Sequence, residues 1–185
     1  SVGASGDLAP LAHMVSVLVG YKDAEAYYEG ERMPAQEALS KAGITPIEYQ
    51  LKAKDCLALI NGTTMFAGLA ALNCYDALKL TKLTEISAAL SMEAVRAEMA
   101  AFDPRIHEVR RHKGQIDTAA NIRTLIDGST RTSEDARAVM LKNDIVHKEY
   151  QPRVQDVYSI RCLPQVQGAV RDNLEYVVRI IEEEI

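Results

Sequence analysis

Four small residues in a row, Gly3, Ala4, Ser5 and Gly6, stand just ahead of Asp7 and the apolar run LAPLAHMVSVLV. Residues this small let a backbone fold tightly on itself. Spacing alone leaves two readings: a flexible lead-in to a helix, or a small-anion site where backbone N–H groups meet a positive helix end. Short glycine-serine runs ahead of helices are common, so spacing by itself favours the plain lead-in. A second group lies in QDVYSIRCLPQVQGA, where Gln155, Tyr158 and Arg161 fall three apart. On a helical or 3₁₀ segment the three project to one side. The polar face of a surface helix would look the same, but Cys162, Leu163, Pro164 and Val166 read as buried and argue for a more enclosed place. In LALINGT, Asn61-Gly62 reads as a turn. The run RRHKGQ (110–115) reads on charge as a solvated basic patch or a weak anion site. It is taken as structural, with His112 the residue in it worth testing.

Other chemistries are excluded by spacing. His13, His107, His112 and His147 show no HExxH or similar ligand pattern, so no metal site is expected. His13 reads as a hydrogen-bonded helix histidine. No Cys/His or Ser/His/Asp arrangement is legible. Cys56, Cys74 and Cys162 are few, odd in number and widely spaced, without CxxC, which fits a reducing cytoplasm and small buried hydrophobes.

The elements that must position these groups are mostly helical. Asp7 caps a helix that stops near Gly20, with Pro10 harmless in its first turn. The tyrosine-rich stretch 21–33 reads as a short hairpin turning at Gly30. Pro34 and Gly43 bracket a second helix, and Thr45-Pro46 restarts a helical turn through IEYQLKAKD. The apolar run LALI precedes the Asn-Gly turn. From Thr63 the run TTMFAGLAALNCYDALKLTKL predicts a helix buried on nearly all sides, and LTEISAALSMEAVRAEMAAF a further helix capped by Thr84. Asp103-Pro104 breaks the pattern. A basic stretch leads into a helix through IDTAANIRTLID, ended by Gly128, and 129–155 reads as loop with room for one helical turn. The last element, from Pro164, is a long amphipathic helix.

Bulk properties agree with a soluble helical protein. Of 185 residues, 48% are hydrophobic and 25% charged, and the net charge of −5 disfavours nucleic acid or an anionic membrane as partner. No apolar run is expected to span a bilayer. The chain opens without Met inside an ordered motif and ends on three glutamates where the helix dipole disfavours them. Both features read as a piece of a longer protein. No internal repeat or low-complexity segment is visible.

The motifs together resemble the aromatic amino-acid ammonia-lyase family. SVGASGDLAPLAHM is similar to that family's prosthetic-group signature, and QDVYSIRCLPQ to its QDxYSxRCxPQ run. MPAQEAL, NGT and HKGQ match in order between them, with Lys113 where the family tends to carry proline. The resemblance covers the whole chain and implies a mainly α fold: residues 1–185 as one helical segment of the central, catalytic domain of a longer lyase.

It further implies that Ala4, Ser5 and Gly6 cyclise into 4-methylidene-imidazol-5-one: the nitrogen of Gly6 attacks the carbonyl of Ala4, and loss of two waters closes the ring and turns Ser5 into the exocyclic methylidene. That electrophile captures an amino-acid substrate, a base takes a β-proton, and ammonia leaves. By the same matching, Arg161 grips the substrate carboxylate, Tyr158 and Gln155 stand at the cofactor, and Asn61 lies near cofactor and carboxylate. Ser159, Pro164, Gln165 and Gly168 shape the site. No residue of this chain is assigned the general base, which the family draws from other regions.

The wording QDVYSIRC followed by GAVRD is nearer bacterial histidine lyases than plant phenylalanine lyases. It implies a cytoplasmic homotetramer that converts L-histidine to urocanate. A phenylalanine or tyrosine lyase, an aminomutase of the same family, and a non-catalytic helical oligomerisation module are the alternatives.

Overall fold

Local sequence rules account for most of the helix boundaries. The computed structural model describes residues 8–47, 51–133 and 155–185. Ala4-Ser5-Gly6 and the expected Asp7 cap therefore lie outside the described residues. Contacts along the backbone divide the chain into two compact units, residues 1–71 with 184–185, and residues 72–183.

In the first unit, helix α1 (Ala9–Leu18) has Pro10 in its first turn and buries Leu11 and Val15. The expected hairpin is present as β1 (Glu25–Tyr28) and β2 (Glu31–Pro34), antiparallel with Tyr28 opposite Glu31. Its two-residue turn places both Glu29 and Gly30 at positive φ, 50° and 86°, the geometry that matches strand twist and favours glycine. Helix α2 (Ala35–Lys41) follows and buries Ala35, Ala38 and Leu39. The run LALI, read from sequence only as apolar, is the second half of helix α3 (Ala53–Ile60). Part of the expected IEYQLKAKD turn lies outside the described residues.

Helix α4 (Thr64–Val95) replaces the two helices expected here. Thr84 is not a cap: its Oγ1 donates to the Leu80 carbonyl one turn back, which a continuous helix accommodates. Nor is the helix buried all round. Leu72, Leu80 and Leu90 are about two-thirds exposed, and Cys74, Thr81, Glu85, Ala89 and Met92 are its buried residues.

Residues 56–75 carry no charged side chain. By length and composition a window within Ala53–Val95 would suffice to cross a bilayer, contrary to the sequence expectation. The Asn61–Thr63 break between α3 and α4 interrupts that uncharged stretch.

The second unit is organised around Ala89, Met92, Ala97, Phe102, Ile122 and Ile126, with Met99, Ala101, Ile160 and Leu163 packed against them. After α4 the chain makes a 3₁₀ turn (Met99–Phe102) and helix α5 (Pro104–Arg110), capped by Asp103, whose carboxylate accepts the Arg105 N–H at 2.9 Å. The basic stretch is thus helical itself. It ends at Arg111 in the left-handed region, and helix α6 starts at Lys113 and runs to Ile126, earlier than expected. The short helix α7 (Tyr158–Arg161) leads into the long helix α8 (Leu163–Glu184).

Helices α6 and α8 cross in backbone contact. A Cβ on Gly114 would lie 2.2 Å from the Gly168 carbonyl oxygen, and one on Gly168 would lie 2.4 Å from the Gln115 nitrogen. Only glycine fits at either point, which gives the glycines of HKGQ and PQVQG a packing reason.

Candidate functional site

Three side chains pin the 3₁₀ turn within the second unit. Asp156 is buried, and its Oδ2 accepts the Glu98 backbone N–H. Arg123 Nη1 donates to the Phe102 carbonyl at 2.8 Å. His107, fully buried, has Nε2 3.1 Å from the Ala101 carbonyl and Nδ1 2.9 Å from Gln115 Nε2. A carbonyl can only accept, so Nε2 carries the proton and Nδ1 accepts from the amide. Burial pushes the His107 pKa below its ordinary value and holds the ring neutral.

Against this turn lies the segment that carries the sequence motif. Gln155 precedes α7, and Tyr158 and Arg161 open and close it. The three do not form one helical stripe, but all three line a cavity of about 320 Å³ with Ala101, Ile106 and Gln165. Arg161 Nη1 donates to Gln155 Oε1. Tyr158 is 70% exposed and Arg161 partly buried. Of the neighbours expected to be buried, Pro164 is, Cys162 and Leu163 are half-buried, and Val166 is exposed because it faces away from the α6 crossing.

A guanidinium has five N–H donors, so one donated to an amide leaves an edge for a carboxylate. Gln155 is neutral and leaves the Arg161 charge uncompensated at that contact. The site can therefore hold and orient a small carboxylate.

Asn61 belongs to the first unit. It ends α3 in an extended conformation, with its backbone N–H bonded to the Leu57 carbonyl at 3.0 Å and its side chain exposed. Gly62 beside it lies against Leu11 of α1. Helix α1 has no side-chain cap on its first turn and no acidic residue within it. The backbone N–H groups of its first turn point toward the preceding residues, as at any helix start. Ala4, Ser5 and Gly6 are small enough by type to permit ring closure.

A larger cavity, about 710 Å³, lies along α4, α6 and α8. Within it Lys113 pairs with Asp117 and Glu175, and the Asp172 carboxylate accepts the Gly114 N–H at 2.7 Å. His112 is exposed and lines neither cavity. Cys74 is buried, but Cys56 is exposed and Cys162 intermediate, so the buried-hydrophobe expectation holds fully for one of three. Among the described residues no group of His, Cys, Asp and Glu is arranged to hold a metal ion.

Sequence reasoning missed Asp156, His107 and Glu85. Asp156 stands inside the motif, next to Gln155. Glu85 is a carboxylate set between apolar residues on a buried helix face, the one signal that could have marked it.

The profile described as Aromatic amino acid lyase matches residues 1–185. Histidine ammonia-lyase of Alkaliphilus oremlandii is 47% identical over the whole chain, which covers 33% of it. That of Clostridium tetani is 49% identical, again over the whole chain, which covers 32% of it. Tyrosine aminomutase from Streptomyces globisporus superposes with a TM-score of 0.78 at 39% identity, over 99% of this chain and 35% of that one. The chain spans about a third of the length of the curated relatives it matches.

Proposed function

Because this chain belongs to the aromatic amino acid lyase family, we propose that it is the central part of a histidine ammonia-lyase, a carbon–nitrogen lyase that eliminates ammonia from L-histidine to give urocanate. The observation that carries the reading is the arrangement at Arg161: it shares one cavity with Gln155 and Tyr158 and is bonded to a neutral amide. The identity to histidine ammonia-lyases supports the choice of substrate.

In this reading Arg161 binds the substrate carboxylate, and Gln155 orients the guanidinium. Tyr158 stands exposed at the same cavity, where it supports the position of the bound amino acid. Asn61 is assigned to substrate binding by motif match to the family alone. Ala4, Ser5 and Gly6 hold the 4-methylidene-imidazol-5-one, which supplies an electrophile that ordinary side chains cannot provide. Backbone N–H groups at a helix start such as that of α1 favour developing negative charge. The base that takes the β-proton is not assigned to this chain. The protein works as a cytoplasmic homo-oligomer, a tetramer by family resemblance, with a small amino acid as ligand and neither metal, nucleic acid nor membrane as partner.

The test supplies the whole protein separately with L-histidine, L-tyrosine and L-phenylalanine and follows the unsaturated acid by its ultraviolet absorbance. Urocanate from histidine is expected, and Ser5→Ala abolishes both activity and the cofactor's own absorbance. Turnover of tyrosine or phenylalanine with histidine inert overturns the substrate assignment. A second reading, an aminomutase, is favoured by the likeness to tyrosine aminomutase. A β-amino acid product would establish it.

A further inference from the structure

We propose that Asp156 is a positioning residue for the carboxylate grip of Arg161, acting through Gln155. This deepens the reading of the site given above and rests on it. Asp156 is 3% exposed and lies in the non-helical lead-in to α7, between Gln155 and the helix. Its Oδ2 accepts the backbone N–H of Glu98, which is distant in sequence and opens the 3₁₀ turn. That turn is a firm anchor: Phe102 is fully buried, and its carbonyl and that of Ala101 are held by Arg123 and His107.

A lead-in outside any helix has no backbone ladder to fix it. The Asp156 carboxylate supplies the missing tie, and it does so one residue from Gln155. Gln155 in turn accepts from Arg161 Nη1. A rigid turn thus holds a carboxylate, the carboxylate holds the chain at 155–157, and the amide on that chain fixes the guanidinium. The second cavity at this place, about 310 Å³, is lined by all the links: Glu98, Ala101, Gln155, Asp156 and Arg161. Removing the carboxylate releases Gln155, and the guanidinium loses the partner that sets its plane. A misplacement of about 1 Å in a binding group can reduce turnover by up to about 100-fold.

The experiment is a double-mutant cycle in the whole protein, run with whichever aromatic amino acid the wild type converts. A wrong histidine assignment then changes the substrate and leaves the coupling measurable. Arg161→Ala is expected to lower kcat/KM by about 100-fold. Asp156→Ala is expected to lower it by about 10-fold, chiefly as a rise in KM, and by less than about 2-fold in the Arg161→Ala background. Asp156→Asn keeps an acceptor oxygen for the Glu98 N–H and recovers most of the loss. The cofactor absorbance stays unchanged in Asp156→Ala. If that variant does not fold, Glu98→Pro removes the same hydrogen bond from the donor side. The φ of Glu98 is −80°, which proline adopts, and the same KM rise is expected. Losses that add in the double variant, or a wild-type KM in both Asp156→Ala and Glu98→Pro, overturn the proposal.

Discussion

Two arginines of the second unit, ten residues apart in sequence, do opposite work. Arg171 on α8 meets Glu85 of α4 edge to edge, Nε and Nη2 each 2.8 Å from a carboxylate oxygen, and Asn121 of α6 donates to the same carboxylate at 2.9 Å. The Glu85 side chain is 4% exposed and that of Arg171 24%. This triad ties three helices together and leaves the cation neutralised. Arg161 is bonded to an amide instead and faces a cavity. The difference teaches how one residue type divides into scaffold and site. A guanidinium answered by a buried carboxylate has its charge neutralised, whereas one oriented by a neutral partner keeps its charge for a ligand.

The contrast breaks most visibly at Glu85. Glu85→Ala strands the Arg171 guanidinium and the Asn121 amide, and chemical denaturation should show a loss of about 3 kcal/mol, the low end for a broken buried pair because Arg171 is partly exposed. Retained stability would mean that the triad is not a tie.

The α6–α8 crossing tests the same scaffold from the other side. In Gly168→Ala the new methyl meets the Gln115 backbone, and a cost of about 1–3 kcal/mol is expected, read as a lower Tm.

A smaller effect is expected at His107. Its pKa is lowered in the fold by burial, so above the ordinary imidazole value of 6.5 it contributes its full stability. As pH falls below 6.5 the unfolded chain binds a proton that the folded one resists, and stability declines until the folded pKa is passed. A His107→Gln variant should flatten that slope in denaturation midpoints measured across the same range.

The smallest change in stability belongs to Arg161→Ala, within about 0.5 kcal/mol, since its amide contact lies beside a cavity. Its cost falls on kcat/KM instead, by about 100-fold. A destabilisation as large as that of Glu85→Ala would erase the distinction between the two arginines.

Much of this was legible in the chain itself. Tyr28 to Glu31 carries its turn in Glu29-Gly30, and Pro34 and Gly43 bracket α2 as helix-end rules require. The spacing of Gln155, Tyr158 and Arg161 marked one neighbourhood, although it suggested a helical stripe, whereas the structure gathers the three around a cavity from two kinds of backbone. The division of 64–95 into two helices failed because Thr84, a good cap by type, bonds back to Leu80 instead. Burial of α4 was misjudged because periodicity reports how apolar a helix is, not what covers it. Cys56 was misplaced for the same reason.

The sequence alone determined the local chemistry: which arginine follows a glutamine and a tyrosine at regular spacing, where the hairpin turns, and what brackets α2. These depend on neighbours a few residues apart. Only the tertiary structure decided which arginine a buried carboxylate neutralises. Glu85 reaches Arg171, Glu98 reaches Asp156, and Gly114 reaches Gly168 across long stretches of chain, and no short-range pattern encodes such meetings. They arise when helices pack, because packing alone sets which buried carboxylate an arginine or a backbone N–H will find.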